Sequence, residues 1–207
     1  MKPKRAPSVC AVAASLTILI SLSNPGSAAT REPEYFPLAS GIEYIMDVEA
    51  VDPDGKKFKG TAYRQIKESV KRGSKVYFKS RTWAEGLPFR TDYTKLVRKD
   101  ETGFYSINDS IPNAAEEREV VLPLKVGSAW EFRAPAGRMK CSIAAKESIT
   151  VAGKQYENCF RFKQESEDGS YAEEWWEAPG VGSVRSITRI SGGTITLTLR
   201  EFKQPGN

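Results

Sequence analysis

Glu173, Trp175 and Glu177 stand at alternate positions, and an extended strand would set all three on one side of the chain. Two carboxylates around an indole suit a sugar platform or an acid–base pair. By strand rise, however, the outer two would lie about 13 Å apart, and glycosidase carboxylates sit closer than that. The chain has no histidine, so serine–histidine and cysteine–histidine catalysis, histidine-ligated zinc or copper and a histidine pH switch are all excluded. A second constellation is Lys75, Tyr77, Lys79, Arg81 and Trp83, again one strand face. Cations interleaved with aromatics suit an anionic polymer, a glycan or lipid headgroups. A solvated face guarded by lysines, or a basic strand paired with an acidic one, would have the same composition. Cys141 and Cys159 are not spaced as a zinc site or a redox pair. They either form one disulfide or remain two buried thiols on opposite strand faces. Pro179-Gly180-Val181-Gly182 is a turn, because no Lys-Ser/Thr pair follows it and no helix opens there. No motif for a metal, a cofactor or a DNA-reading helix is present, and the sequence points away from an enzyme.

Charge adds a compartment. The 207 residues carry 31 Lys+Arg and 26 Asp+Glu, a formal charge of +5. Lys2, Lys4 and Arg5 precede an apolar run at 9–22, then Pro25-Gly26 and Ser27-Ala28-Ala29. That order is a secretory signal over residues 1–29, with cleavage expected near Ala29. The apolar run is short for a membrane span. Removing the leader's three positive charges leaves +2 on a mature chain of residues 30–207. An exported protein, periplasmic or secreted, is the expectation, with no transmembrane segment after cleavage and no nucleic-acid partner. The mature balance hides a segregation: residues 56–81 hold ten cations and one acid, while residues 165–177 hold six acids and no base.

The elements that must position these groups are strands. Ile42, Tyr44, Met46 and Val48 alternate with Glu43, Asp47 and Glu49, the period of a half-buried strand. Asp52-Pro53-Asp54-Gly55 turns the chain into a return strand at 58–66. Similar runs fall at 75–83, 89–97, 104–107, 120–122, 129–133, 140–151, 158–164, 171–177, 183–190 and 194–202, with turns at 73–74, 135–137, 167–169 and 191–193. About eleven short strands at regular spacing predict an all-β, antiparallel meander forming a curved sheet or unclosed barrel. No long amphipathic helix is legible. Residues 108–118 read as a polar connector. A weak repeat aligns Phe36-Pro37-Leu38, Gly41 and Tyr44 with Leu122-Pro123-Leu124, Gly127 and Trp130, each 86 positions on. It suggests one β-rich domain built from two duplicated halves, about 35–107 and 121–202.

Two phrases carry a resemblance. Tyr35-Phe36-Pro37-Leu38 is echoed by Leu122-Pro123-Leu124-Lys125-Val126-Gly127-Ser128-Ala129-Trp130. Trp175-Trp176-Glu177-Ala178-Pro179-Gly180-Val181-Gly182-Ser183-Val184-Arg185 is the second, with Val151-Ala152-Gly153 before Cys159. Together they resemble exported bacterial domains of unknown function of TapB-like type, which look related to the lipoprotein carriers LolA and LolB. The resemblance spans most of the mature chain and rests on turn-and-strand phrases. It departs at Tyr44, where Trp is usual. It implies a curved sheet around an apolar cavity and a non-enzymatic envelope protein that binds a lipid or a lipoprotein acyl chain. Tyr44, Phe78, Trp130, Phe160 and Trp176 would then line the concave face. The alternative is an assembly module that docks an envelope protein or an anionic polymer through the Lys75–Trp83 face.

Overall fold

The computed structural model describes residues 33–89, 91–134 and 137–205. The predicted leader at 1–29 and part of the turn at 135–137 lie outside the described residues. Pro33–Asn207 forms one compact unit, built from twelve strands: β1 (Glu43–Val51), β2 (Lys57–Arg72), β3 (Lys75–Glu85), β4 (Thr91–Lys99), β5 (Gly103–Asn108), β6 (Glu117–Val121), β7 (Ala129–Ala134), β8 (Gly137–Val151), β9 (Lys154–Ser166), β10 (Tyr171–Ala178), β11 (Gly182–Ile190) and β12 (Gly193–Lys203). No helix occurs among the described residues. All strands join one antiparallel sheet in the order β6-β5-β4-β3-β2-β1-β12-β11-β10-β9-β8-β7. The sheet curls into a nearly closed barrel. The predicted all-β meander is therefore observed, with twelve strands where about eleven were expected.

Local chemistry sets the hairpins. In the first, the Asp52 carboxylate accepts hydrogen bonds from the backbone of Asp54 and Lys56 at 3.0 and 2.8 Å, and Gly55 takes the left-handed conformation the turn needs. Strand alternation does the rest. Tyr44, Met46, Val48 and Ala50 of β1 are buried, while Glu43, Ile45, Asp47 and Glu49 are not. Two predicted strands run longer than their alternation. β2 passes 66 to Arg72 through a bulge between Ile66 and Ser69, and β9 starts at Lys154 because Ala152 and Gly153, both at positive φ, make a two-residue turn.

The core is divided. One cluster gathers Ile42, Tyr44, Met46, Val48, Ala62, Ile66, Val184 and Leu199. A second gathers Tyr35, Val97, Phe104, Val120, Ile143, Phe160 and Phe162. On the other face of β3–β5, Tyr77, Leu96 and Ile107 form a third, covered by Ala114 of the predicted connector. Glu116 clips that connector down by accepting from the Tyr77 hydroxyl at 2.5 Å and pairing with Arg98.

Two features matter for function. Residues 33–42 close one end of the barrel. Tyr35 packs edge-on against Phe160 with centroids 5.0 Å apart, and Phe36 meets Phe104 and Phe162 at 5.4 and 6.2 Å. The Gly180 amide donates to the Glu34 carbonyl at 2.7 Å. This segment acts as a plug, and burying its aromatic rings contributes roughly 1.5–3 kcal/mol each. The second feature is a seam. β6 and β7 share no backbone ladder; the Trp130 indole donates to the Glu119 carbonyl at 2.9 Å, and the Arg133 amide donates to the Glu117 carboxylate at 3.3 Å.

Candidate functional site

Above the plug the barrel is hollow. A cavity of about 900 Å³ runs from Phe36, Pro37 and Leu38 at the floor to Leu87, Phe89, Ile111 and Phe132 at the opposite end. Phe89 and Ile111 are 42% and 44% exposed, so that end is a mouth open to solvent.

The walls differ in chemistry, and strand parity explains how. Inward positions of β1, β2, β3 and β12 supply Met46, Val48, Ala62, Ala84, Ile195 and Leu197, a mainly apolar wall interrupted by Arg64, Ser80 and Thr82. Inward positions of β4–β6 and β9–β11 supply Lys95, Ser106, Glu119, Gln164, Glu173 and Ser186, a wall rich in polar groups between the apolar Val97, Phe104, Val120 and Trp175. Arg64 of β2 and Glu177 of β10 lie near the floor, beside Tyr44. The cavity is amphipathic along its length.

Apart from Glu117 and Arg133 beside the seam, its charged groups fall into two sets. Lys95 and Glu119 form a salt bridge at 2.6 Å, and the Ser106 hydroxyl also donates to Glu119 at 2.6 Å. Burial works against both charges, yet each partner sustains the other: Lys95 is held above its ordinary pKa and Glu119 below. The second set is unpaired. Arg64, Glu173 and Glu177 make no ion pair with any described residue. Burial raises the Glu173 carboxyl, although the Tyr171 hydroxyl donates to it at 2.6 Å. Burial also pushes the Glu177 carboxyl up to about 8, with the Arg64 charge pulling the other way. Tyr44, its hydroxyl raised by burial, donates to the Val181 carbonyl at 2.8 Å. Gly182, at φ +91°, lets that hydroxyl approach: a Cβ there would stand 2.8 Å from it and 3.6 Å from Glu177 Oε2.

The structure places the expected lining residues unevenly. Tyr44 is on the cavity wall. Phe78 lies partly buried between the two main clusters, Phe160 is buried against Tyr35, and Trp130 sits at the seam. Trp176 turns away from the cavity, donates to Glu147 at 2.8 Å and lies under Arg185; its neighbour Trp175 faces inward and stacks on Phe162 at 4.8 Å. A bulge at Trp176/Glu177 accompanies this turn of the chain. Glu173, Trp175 and Glu177 do share one face, and it is the inner one.

The Lys75–Trp83 face is already engaged. Lys75 pairs with Glu116 at 2.6 Å, Lys79 with Glu68 at 3.0 Å, and Arg81 with Asp92 through two bonds of 3.0 Å. Tyr77 is buried, and Trp83 stacks on Tyr63 at 5.0 Å.

Of the two readings of the cysteines, the disulfide is corrected and the pair of buried thiols is observed. Cys141 and Cys159 are free, buried thiols. Cys141 sits opposite Gln164, five positions along β9 from Cys159. At strand rise that is about 16 Å, far beyond disulfide reach. Burial raises the thiols to about 12 and about 11, respectively, which keeps them unreactive.

Sequence reasoning did not single out Arg64, Lys95, Glu119 or Ser186. A signal existed for the first: Arg64 has the parity of Ala62 and Ile66, both inward.

No protein-family profile matches the chain, and no curated protein is similar to it. Among solved structures it is similar to a candidate exported protein with YmcC-like fold from Bacteroides fragilis. That alignment has 13% identity, covers 83% of this chain and 100% of the other, and gives a TM-score of 0.50. A candidate lipoprotein from Parabacteroides distasonis aligns at 14% identity over 83% of this chain and 99% of its own, with a TM-score of 0.47. The first likeness is one of fold.

Proposed function

We propose that this chain is an exported, non-enzymatic binding protein of the cell envelope that holds one amphipathic molecule inside its barrel. The observation that carries this reading is the division of one cavity into a mainly apolar wall and a wall rich in polar groups. A volume of about 900 Å³ falls within the range of small-molecule sites. The signal-like leader and the resemblance to lipoprotein carriers support an envelope setting and a lipid or acyl-bearing ligand. The polar wall favours a molecule with a substantial polar part over a bare acyl chain, because displacing water from Lys95, Glu119 and Glu173 without replacing its hydrogen bonds is costly.

The alternative, docking of an anionic partner on the Lys75–Trp83 face, has less support. Lys75, Lys79 and Arg81 each have an acid partner, so an incoming anion would have to displace it. Native mass spectrometry after mild purification tests the leading reading. The expected result is a bound amphiphile and displacement of an environment-sensitive fluorescent fatty acid. A clean apo mass without displacement would overturn it.

A further inference from the structure

Arg64 is a half-buried cation on the cavity wall that makes no ion pair with any described residue. Its Nε donates to Ser80 Oγ at 3.0 Å, and its guanidinium lies over the Tyr44 ring, 5.6 Å from the centroid. These contacts fix the plane of the group near the cavity floor. Its two terminal nitrogens make no hydrogen bond to any described residue. Lys95, the neighbouring cation, is already matched by Glu119. Glu177 and Glu173, the other acids at this depth, are not within ion-pair distance of Arg64.

A second group also lacks a partner. Ser186 is 5% exposed, lines the same cavity, and its hydroxyl has no hydrogen-bond partner. A buried hydroxyl left unmatched costs about 1–3 kcal/mol, and a ligand oxygen would satisfy it. Beside Arg64, Ala62 and Met46 begin the apolar wall that leads up past Val48 and Ala84 to the mouth.

We propose that Arg64 anchors the anionic head of the ligand, a carboxylate or phosphate group seated at the floor, with the apolar body running along the β1–β3 and β12 wall toward the mouth. This rests on the amphiphile reading above and specifies its polarity and orientation. A guanidinium with both terminal nitrogens free offers a planar fork that matches two oxygens of either anion.

The test is a head-group series on one chain length. Dodecanoate, dodecyl phosphate, dodecanol and dodecylamine compete for the purified protein against a neutral fluorescent probe. The two anions are expected to compete at concentrations about tenfold or more below dodecanol, with dodecylamine weakest. Their ratio separates a carboxylate head from a phosphate head. In Arg64→Gln the anion advantage should shrink to about twofold or less, while dodecanol competes as before and so reports an intact cavity. Arg64→Lys should retain part of it. Equal competition by dodecanol and the anions, or an advantage that persists in Arg64→Gln, overturns the anchor and leaves the amphiphile reading standing. If no member of the series competes, both fall. The wild-type series decides the head-group preference even if Arg64→Gln does not fold.

Discussion

Glu177 is 7% exposed and faces Arg64, Tyr44 and Glu173 across the cavity floor without an ion pair. Its carboxyl is pushed up to about 8, above the unfolded value near 4.3. Between those values the folded chain holds a proton that the unfolded chain has lost. Its contribution is therefore full below about pH 4.3 and declines as pH rises through about 8. Glu173 acts with the same sign. Glu116, held down to about 2 chiefly by Arg98, acts oppositely and weakens the fold as pH falls through that value. Urea midpoints of Glu177→Gln should lose most of the decline between pH 5 and pH 9. That is a relative gain on the order of 4 kcal/mol at the upper end; parallel wild-type and variant profiles would refute it. Much of this site was hard to read in sequence because charge on a strand normally marks the solvent face. Arg64 sits within the run of ten cations at 56–81, where only strand parity separates it from the outward ones, and Lys95 lies beyond that run on β4, a strand with other charges. Tyr44 was legible because its β1 neighbours alternate cleanly; the alternation that puts Glu173, Trp175 and Glu177 inside turns Trp176 outward, but two adjacent indoles carry no sign of which side is hollow.

Elements were more legible than sites. Period-two patterning and Gly, Pro and Asp turns located every strand, since each strand buries one face and each hairpin needs those residue types. The patterning failed where both faces of a strand meet solvent, as at 67–72, or where an outer face is covered. Tyr77, Leu96 and Ile107 are an example: they bury only because the connector folds back over them. Pairing across a sheet also depends on distant partners, so nothing local revealed that β6 and β7 remain unladdered. The Trp130 indole bond to Glu119 bridges that gap. Trp130→Phe keeps an aromatic ring and removes the donor, so it should cost about 1 kcal/mol. Amide exchange at 117–121 should quicken while β1 and β2 stay protected. Uniform change across the sheet would show that the seam opens only with global unfolding.

The unit at Pro33–Asn207 is a hollow barrel closed at one end by the segment that leads into β1. Phe36 is the centre of that closure, in contact with Phe104 and Phe162. Phe36→Ala should lower the urea midpoint by an amount equivalent to about 2–3 kcal/mol. It should also speed release of bound amphiphile, read as faster loss of probe fluorescence on dilution. Slower or unchanged release would mean the plug does not guard the floor. One property of the sheet order reaches further. β1 and β12 lie side by side with Glu43 opposite Lys203, and Gly41 is close to Pro205, so the two ends of the strand series meet. The single unladdered junction falls between strands that follow each other in the chain. Joining those ends and cutting within 122–128 would give a sequence running β7 to β12 and then β1 to β6. In that circular permutant every spatial neighbour would also be a sequence neighbour, and the former gap would lie between its two termini.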